Sequence, residues 1–328
     1  MSVVEWTLAC AVAVPFAMGL SVSGDAERRD VEFRFQDPDI VESSGLVARD
    51  GLFVTVNDSG DAGRTFVVDP STGRTVGGAT WGESLDVEAL APLLGDEVLV
   101  GDIGDNLGAR SSVRLLRVAM ATDDQTVTPQ TYDLTYPEGP RDAETLMVHP
   151  RTQQVFVVSK AIFGGTLFAA PKRLSTTASN RLEAVGDVLG TATDGAFFPD
   201  GRHFVVRDYS RAVIYTYPGL QSMAEIDLPE QEQGEGIAVD EDGAVFVSTE
   251  GIRSEVLRIR LPAQVQRQVT PPPDSPTGPE PDAEALAEDP DAAVAESERP
   301  VWPWVLGGVV GLGAIVVLLL GRGRWPSL

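Results

Sequence analysis

SLDVEALAPLLGDEVLVGDIGDN, residues 84–106, decides the fold. It reads as two short strands, ALAPL and VLVGD, that turn back on each other at Gly95. Asp86 and Glu88 stand at the start of the first strand, and Asp102 and Asp105 follow the second. Acids are poor strand formers and are rarely buried without partners, so four of them around one hairpin need a reason.

Four other segments follow the same plan. They are ESSGLVARDGLFVTVNDSGD (42–61), DAETLMVHPRTQQVFVVSK (142–160), TDGAFFPDGRHFVVRDYSR (193–211) and QGEGIAVDEDGAVFVSTEG (233–251). Their anchors Leu46, Leu90, Leu146, Ala196 and Ile237 recur at intervals of 44, 56, 50 and 41 residues. Two further strand-like runs follow each hairpin except the last, which has only EVLRIRLP. VEFRF (31–35) alternates and supplies the strand missing from that unit. Four antiparallel strands every forty to fifty residues is the signature of a β-propeller blade. The sequence therefore predicts an all-β, five-bladed propeller over 31–267, with the N-terminal strand closing the last blade. A six-bladed count, with one degenerate blade inside the 56-residue interval, is the alternative.

These motifs, ESSGL…NDSGD, DVEAL…GDIGDN, DAETL, FPDG and QGEGIAVDEDG, resemble the uncharacterised secreted or membrane-anchored propellers of actinobacteria, within the NHL/YVTN-like class. The resemblance spans nearly the whole predicted ectodomain and implies a fold and an exported location, not a chemistry. A looser likeness, to gluconolactonase- and paraoxonase-type propellers with a divalent metal in the channel, matches no motif of theirs and transfers no residue.

The ends set the expected topology. Residues 1–24 read as a signal peptide whose n-region lacks Lys and Arg. VWPWVLGGVVGLGAIVVLLL (301–320) carries no charge over the length a bilayer-spanning helix needs. Trp302, Trp304 and Trp325 flank it, and Arg322 and Arg324 follow, which puts the C-terminus in the cytoplasm. The expected organisation is a signal peptide (1–24), the propeller ectodomain, an acidic Pro-rich stalk (268–300), one transmembrane helix (301–321) and a short cytoplasmic tail (322–328). The stalk composition cannot bury enough surface to fold. The only cysteine, Cys10, precedes the propeller, so a thiolate zinc site is excluded. The net charge of −24, without a basic patch, argues against nucleic acid.

Antiparallel pairing brings the start of strand one and the end of strand two to the same mouth of the channel. Two residues before each anchor stand Ser44, Glu88, Glu144, Asp194 and Glu235, with Glu42, Asp86 and Asp142 two further back. At the strand-two ends are Asn57, Asp58, Asp102, Lys160, Arg207, Asp208 and Glu250. A ring of carboxylates requires protons, basic partners or a cation. Lys160, one of only two lysines, and Arg207 are the basic partners available. Two readings stay open: the acids line channel water and bind backbone N–H groups, or Glu88, Glu144, Asp194, Glu235, Asp58 and Asp102 hold a divalent cation, Ca²⁺ first. The corresponding functions are an extracellular binding module and, alternatively, a metal-dependent lactonase or phosphoesterase. The latter would use Glu88, Glu144 or Glu235 as base and Lys160 or Arg207 to stabilise the anion. His149 and His203, the only histidines, have no nucleophile at suggestive spacing.

Overall fold

Five antiparallel sheets, each built outward from one of the quoted hairpins, surround a common axis. The computed structural model describes residues 30–58 and 60–270. Blade I contains β2 (Ser43–Arg49), β3 (Leu52–Asn57), β5 (Phe66–Asp69) and β6 (Arg74–Gly82), with β4 (Gly63–Arg64) paired to β6. Blade II contains β7 (Val87–Pro92), β8 (Glu97–Asp102), β9 (Val113–Ala119) and β11 (Gln130–Thr135). Blade III contains β12 (Ala143–Val148), β13 (Val155–Ser159), β14 (Gly165–Ala169) and β16 (Glu183–Val188). Blade IV contains β17 (Asp194–Phe197), β18 (His203–Arg207), β19 (Arg211–Thr216) and β20 (Ser222–Asp227). Blade V contains β21 (Gly234–Val239), β22 (Val245–Thr249) and β23 (Glu255–Ile259). Its fourth strand is β1 (Val31–Arg34), antiparallel to β23. Pairing the two ends of the ring in one sheet protects an edge that would otherwise be exposed.

The core is divided in the same way. Each of five apolar clusters among the described residues is shared by two neighbouring blades. Leu90 and Val100 of blade II, for example, pack with Val47, Val54 and Val67 of blade I. Both faces of every blade are thus covered, and the second strands read as apolar runs such as VLV and FVV rather than as strict alternation. The innermost strands approach closely: a Cβ on Gly45 would lie 2.3 Å from the Leu90 amide nitrogen, so only glycine fits there. Ser44 secures the same junction by donating its hydroxyl to the Glu88 carbonyl at 2.7 Å, away from solvent. Ser44→Ala is expected to cost about 1 kcal/mol, read as a lower urea midpoint with an unchanged slope.

The structure adds elements that the repeat pattern did not indicate. β10 (Asp124–Thr126), from the segment between β9 and β11, pairs in parallel with β6 of blade I. β15 (Asn180–Arg181), between β14 and β16, pairs in parallel with β11 of blade II. The 56-residue interval is therefore filled by a clasp onto the preceding blade and a long β8–β9 loop, and five blades account for the sheets. α1 (Ala263–Val269) follows β23 and buries Val265 and Val269 in the cluster between blades IV and V. The folded unit thus extends two residues past the boundary expected at 267. The expected signal peptide, transmembrane helix and tail lie outside the described residues, as does the stalk beyond Thr270. Among the described residues no helix is long and apolar enough to cross a membrane.

Candidate functional site

The five positions two residues before the anchors are equivalent and buried: Ser44, Glu88, Glu144, Asp194 and Glu235 are each 6% exposed or less. Their environments differ because the ladders differ. In blades I, II, III and V the β2–β3, β7–β8, β12–β13 and β21–β22 register shifts across this position. A bulge re-aims a side chain and frees it from the ladder. In blade IV the pairing runs without interruption from Asp194↔Arg207 to Phe197↔Phe204.

Asp194, expected among the cation ligands, is held elsewhere for that reason. It accepts N–H bonds from Gly195 (2.8 Å), from Ile237 of blade V (2.8 Å) and from Leu46 of blade I (3.4 Å). It is a stitch across the channel. Burial raises its carboxyl well above the ordinary range, against the pull of those three amides. Asp102 is also held elsewhere: it pairs with Arg110 (2.8 Å) and Arg114 (2.7 Å) and accepts the Leu85 and Asp86 amides. Burial pushes its pKa upward, but those partners prevail and hold it low, so it is a satisfied anion. Asp105 uses its two oxygens on the Ala109 and Arg110 amides, which makes GDIGDN a structured turn, and Asn106 is exposed on that turn. Arg207 has no exposed surface and gives its protons to carbonyls, so it cannot meet a substrate anion. The hydrolase alternative thereby loses one of its two anion-stabilising groups.

What the mouth does assemble is a group of three carboxylates from two blades. Asp58 at the end of β3, Asp86 before β7 and Glu88 on β7 offer oxygens that all lie within 4.8 Å of one another. Gly104 makes room for them: a Cβ there would stand 2.4 Å from Asp86 Oδ2 and 2.6 Å from Glu88 Oε1. The glycine of GDIGDN thus serves the carboxylates more directly than its aspartates do. Glu88 is 4% exposed, and no described residue donates a hydrogen bond to its carboxyl. Burial, followed by the charges of Asp58, Glu144, Asp86 and Asp142, pushes it up to about 10. Asp86 is raised chiefly by burial and next by Asp58.

The other side of the mouth is balanced by one base. Lys160 donates to Glu144 and, at 2.8 Å, to the Tyr209 hydroxyl. Burial works against the ammonium, but Glu144 and Tyr209 outweigh it and hold Lys160 above the ordinary lysine range. Burial pushes Glu144 up to about 8, less far than Glu88 because Lys160 opposes the shift. Glu144 Oε2 is buried without a hydrogen-bond partner among the described residues. Glu235 and Glu250 share the Gln233 amide, and burial plus neighbouring acids raise both, Glu250 to about 7.

Around this mouth the loops joining second to third strands carry exposed apolar side chains. They are Leu107 in blade II, Ile162 and Phe163 in blade III, Tyr209 in blade IV and Ile252 in blade V. Sequence reasoning passed over them because single apolar residues in loops are unremarkable. Their shared position is a property of the fold, because each lies between the second and third strands of its blade. The histidines have turn roles: His149 Nδ1 accepts the Arg151 and Thr152 amides, and His203 Nδ1 meets Asp200 at 2.7 Å. Comparison of the chain with protein-family models and with curated proteins gives no match in either set.

Proposed function

We propose that this propeller is a binding module whose acidic mouth takes a divalent cation of the Ca²⁺ class and presents it, with the surrounding apolar loops, to an extracellular partner. The observation that carries this reading is the convergence of Asp58, Asp86 and Glu88, with Glu88 buried and given no hydrogen-bond donor by any of the described residues. Two oxygens that bind one Ca²⁺ at about 2.3–2.6 Å stand no more than about 5 Å apart, which the 4.8 Å spacing satisfies. Hard oxygen ligands without nitrogen or sulfur favour Ca²⁺ or Mg²⁺ over zinc or copper. Exposed apolar groups beside a charged concavity are the composition of an interaction face. Display at the cell surface rests on the sequence of residues 270–320: a spacer followed by an apolar stretch of membrane-spanning length.

The test is the melting temperature of the chain in EDTA, Ca²⁺, Mg²⁺ and Mn²⁺. Ca²⁺ at about one hundred times its dissociation constant is expected to add about 2.7 kcal/mol. For a domain of this size that is a rise of roughly 5–10 °C. Asp86→Asn and Glu88→Gln are each expected to remove most of the rise. Absence of a shift with every metal in the unmodified chain would sink the cation site.

A further inference from the structure

The channel has a second mouth, and the geometry points to it as a separate binding site for a small uncharged molecule, mostly apolar and carrying one hydrogen-bonding group. All five innermost strands run the same way, and each changes character along its length: SSGLVA, VEALAP, AETLMV, DGAFFP and GEGIAV each carry a serine or an acid within their first two positions and end apolar. Their parallel course around the axis collects acids at one mouth and apolar groups at the other. The apolar end holds a cavity of about 220 Å³ lined from every blade, with Leu46, Leu90, Leu146, Phe197 and Ala238 as one residue from each.

Buried groups stand between the two mouths. Midway, the Asp194 carboxylate receives the Leu46 and Ile237 amides, and Asp194, Thr145 and Ile237 have no exposed surface. The Asp194 stitch thus lies between the cavity and the acidic mouth.

The rim determines the ligand's charge. Its polar groups are spent on joining neighbouring blades: Arg49 Nη1 donates to the Leu93 carbonyl, the Asp50 amide donates to Glu241 (3.1 Å), and the Leu94 amide donates to Gln153 (3.0 Å). Arg49 also stands 3.4 Å from Asp50 and 4.0 Å from Glu241, so its charge is already answered. Arg49, Asp240 and Glu241 stand at the rim, and the walls below them carry no charged side chain, so a buried charge of either sign would lose its water without gaining a partner. The innermost strands are sheet edges, however, so their second rows of backbone N–H and C=O groups face the axis. Aliphatic walls with backbone donors and acceptors suit a neutral molecule with one polar group. An apolar protein cavity of about 150 Å³ accepts benzene, so 220 Å³ suits about nine non-hydrogen atoms. Indole and 1-octanol both have that size.

Calorimetric titration of the full chain with indole and 1-octanol, against octanoate and octylammonium, tests this. Saturable one-to-one binding of a neutral probe and none of the charged pair is expected. Leu94 lines the cavity and is 61% exposed, so Leu94→Asp leaves the core intact. It should weaken binding about tenfold or more, the effect of one lost leucine contact. Glu88→Gln should leave probe binding unchanged, which separates this site from the cation reading. Failure of both neutral probes to saturate, or equal binding by Leu94→Asp and the unmodified chain, overturns the proposal.

Discussion

Replacing Arg207 by methionine lowers the unfolding free energy by about 3–5 kcal/mol, the range for breaking a buried ionic network from one side. Arg207 is the largest fully buried side chain among the described residues. It leaves β18 of blade IV and reaches into blade V. Nε donates to the Asp208 carbonyl (3.0 Å), and Nη1 lies within reach of the Gly236 carbonyl (3.1 Å), Gln231 Oε1 (3.2 Å) and the Ser248 carbonyl (3.3 Å). Burial lowers its pKa to about 10, while the charges of Glu235, Asp194 and Asp208 support the cation. Methionine fills similar space but donates nothing. The carbonyls of blade V then lose their donor out of water, and two buried acids lose their counter-charge. Lysine is expected to recover little, because a single ammonium cannot reproduce a planar fork bound to several acceptors. The measurement is urea unfolding of the chain and its Arg207→Met and Arg207→Lys forms. A methionine variant within about 1 kcal/mol of the unmodified chain would show that the junction of blades IV and V does not depend on this residue.

Arg207 also shows where reading the sequence stops. The repeat, the blade count and the closing strand were legible because strand one and strand two of each blade carry strong local patterns, fixed by burial on both faces. Counting back from Leu90 puts Glu88 at the mouth, and the end of strand two puts Asp58 at the same mouth, while their contact is seen only in the structure. The environment of each acid was not legible, because it depends on features that leave no local mark. The bulges that re-aim Glu88, Glu144 and Glu235 insert no signature residue, and the regular ladder that turns Asp194 into a stitch reads the same as the others. Asp102 is neutralised by Arg110 and Arg114 from across a loop and a neighbouring strand, which spacing alone does not reveal. Arg207 reads in the sequence as a basic partner at the channel mouth, and its full burial toward blade V leaves no local mark, since such burial is rare for that residue type. β10 and β15 are too short and polar to show a period. α1 was legible in principle: Val265 and Val269 lie four apart, and Pro262 stands just before the first helical residue.

Between pH 5 and pH 8 the stability of the chain in EDTA is expected to fall, and Ca²⁺ is expected to remove much of that fall. In the unfolded chain a glutamate titrates near its ordinary value of about 4.3. In the folded chain burial and neighbouring acids move Glu88 to about 10, Glu144 to about 8 and Glu250 to about 7. Through that window the folded state binds more protons than the unfolded state, so stability declines as pH rises. One carboxyl that remains protonated contributes up to about 1.4 kcal/mol per pH unit, or about 4 kcal/mol at most across three units. The acids held low, Asp102 and Asp208 among them, act in the opposite sense and only as pH falls below about 4. The maximum therefore lies near pH 4. Glu88→Gln, which keeps the shape and removes the ionisation, should flatten the decline and raise the melting temperature at pH 8 in EDTA. A cation held by Asp58, Asp86 and Glu88 replaces the proton on Glu88, so its stabilising effect should be larger at pH 8 than at pH 5.5. Stability that is flat or rising from pH 5 to pH 8, or a Glu88→Gln variant with the unmodified slope, would mean that Glu88 is ionised in the folded state. The mouth would then be a solvated acidic rim, and Ca²⁺ would stabilise the chain no more at pH 8 than at pH 5.5.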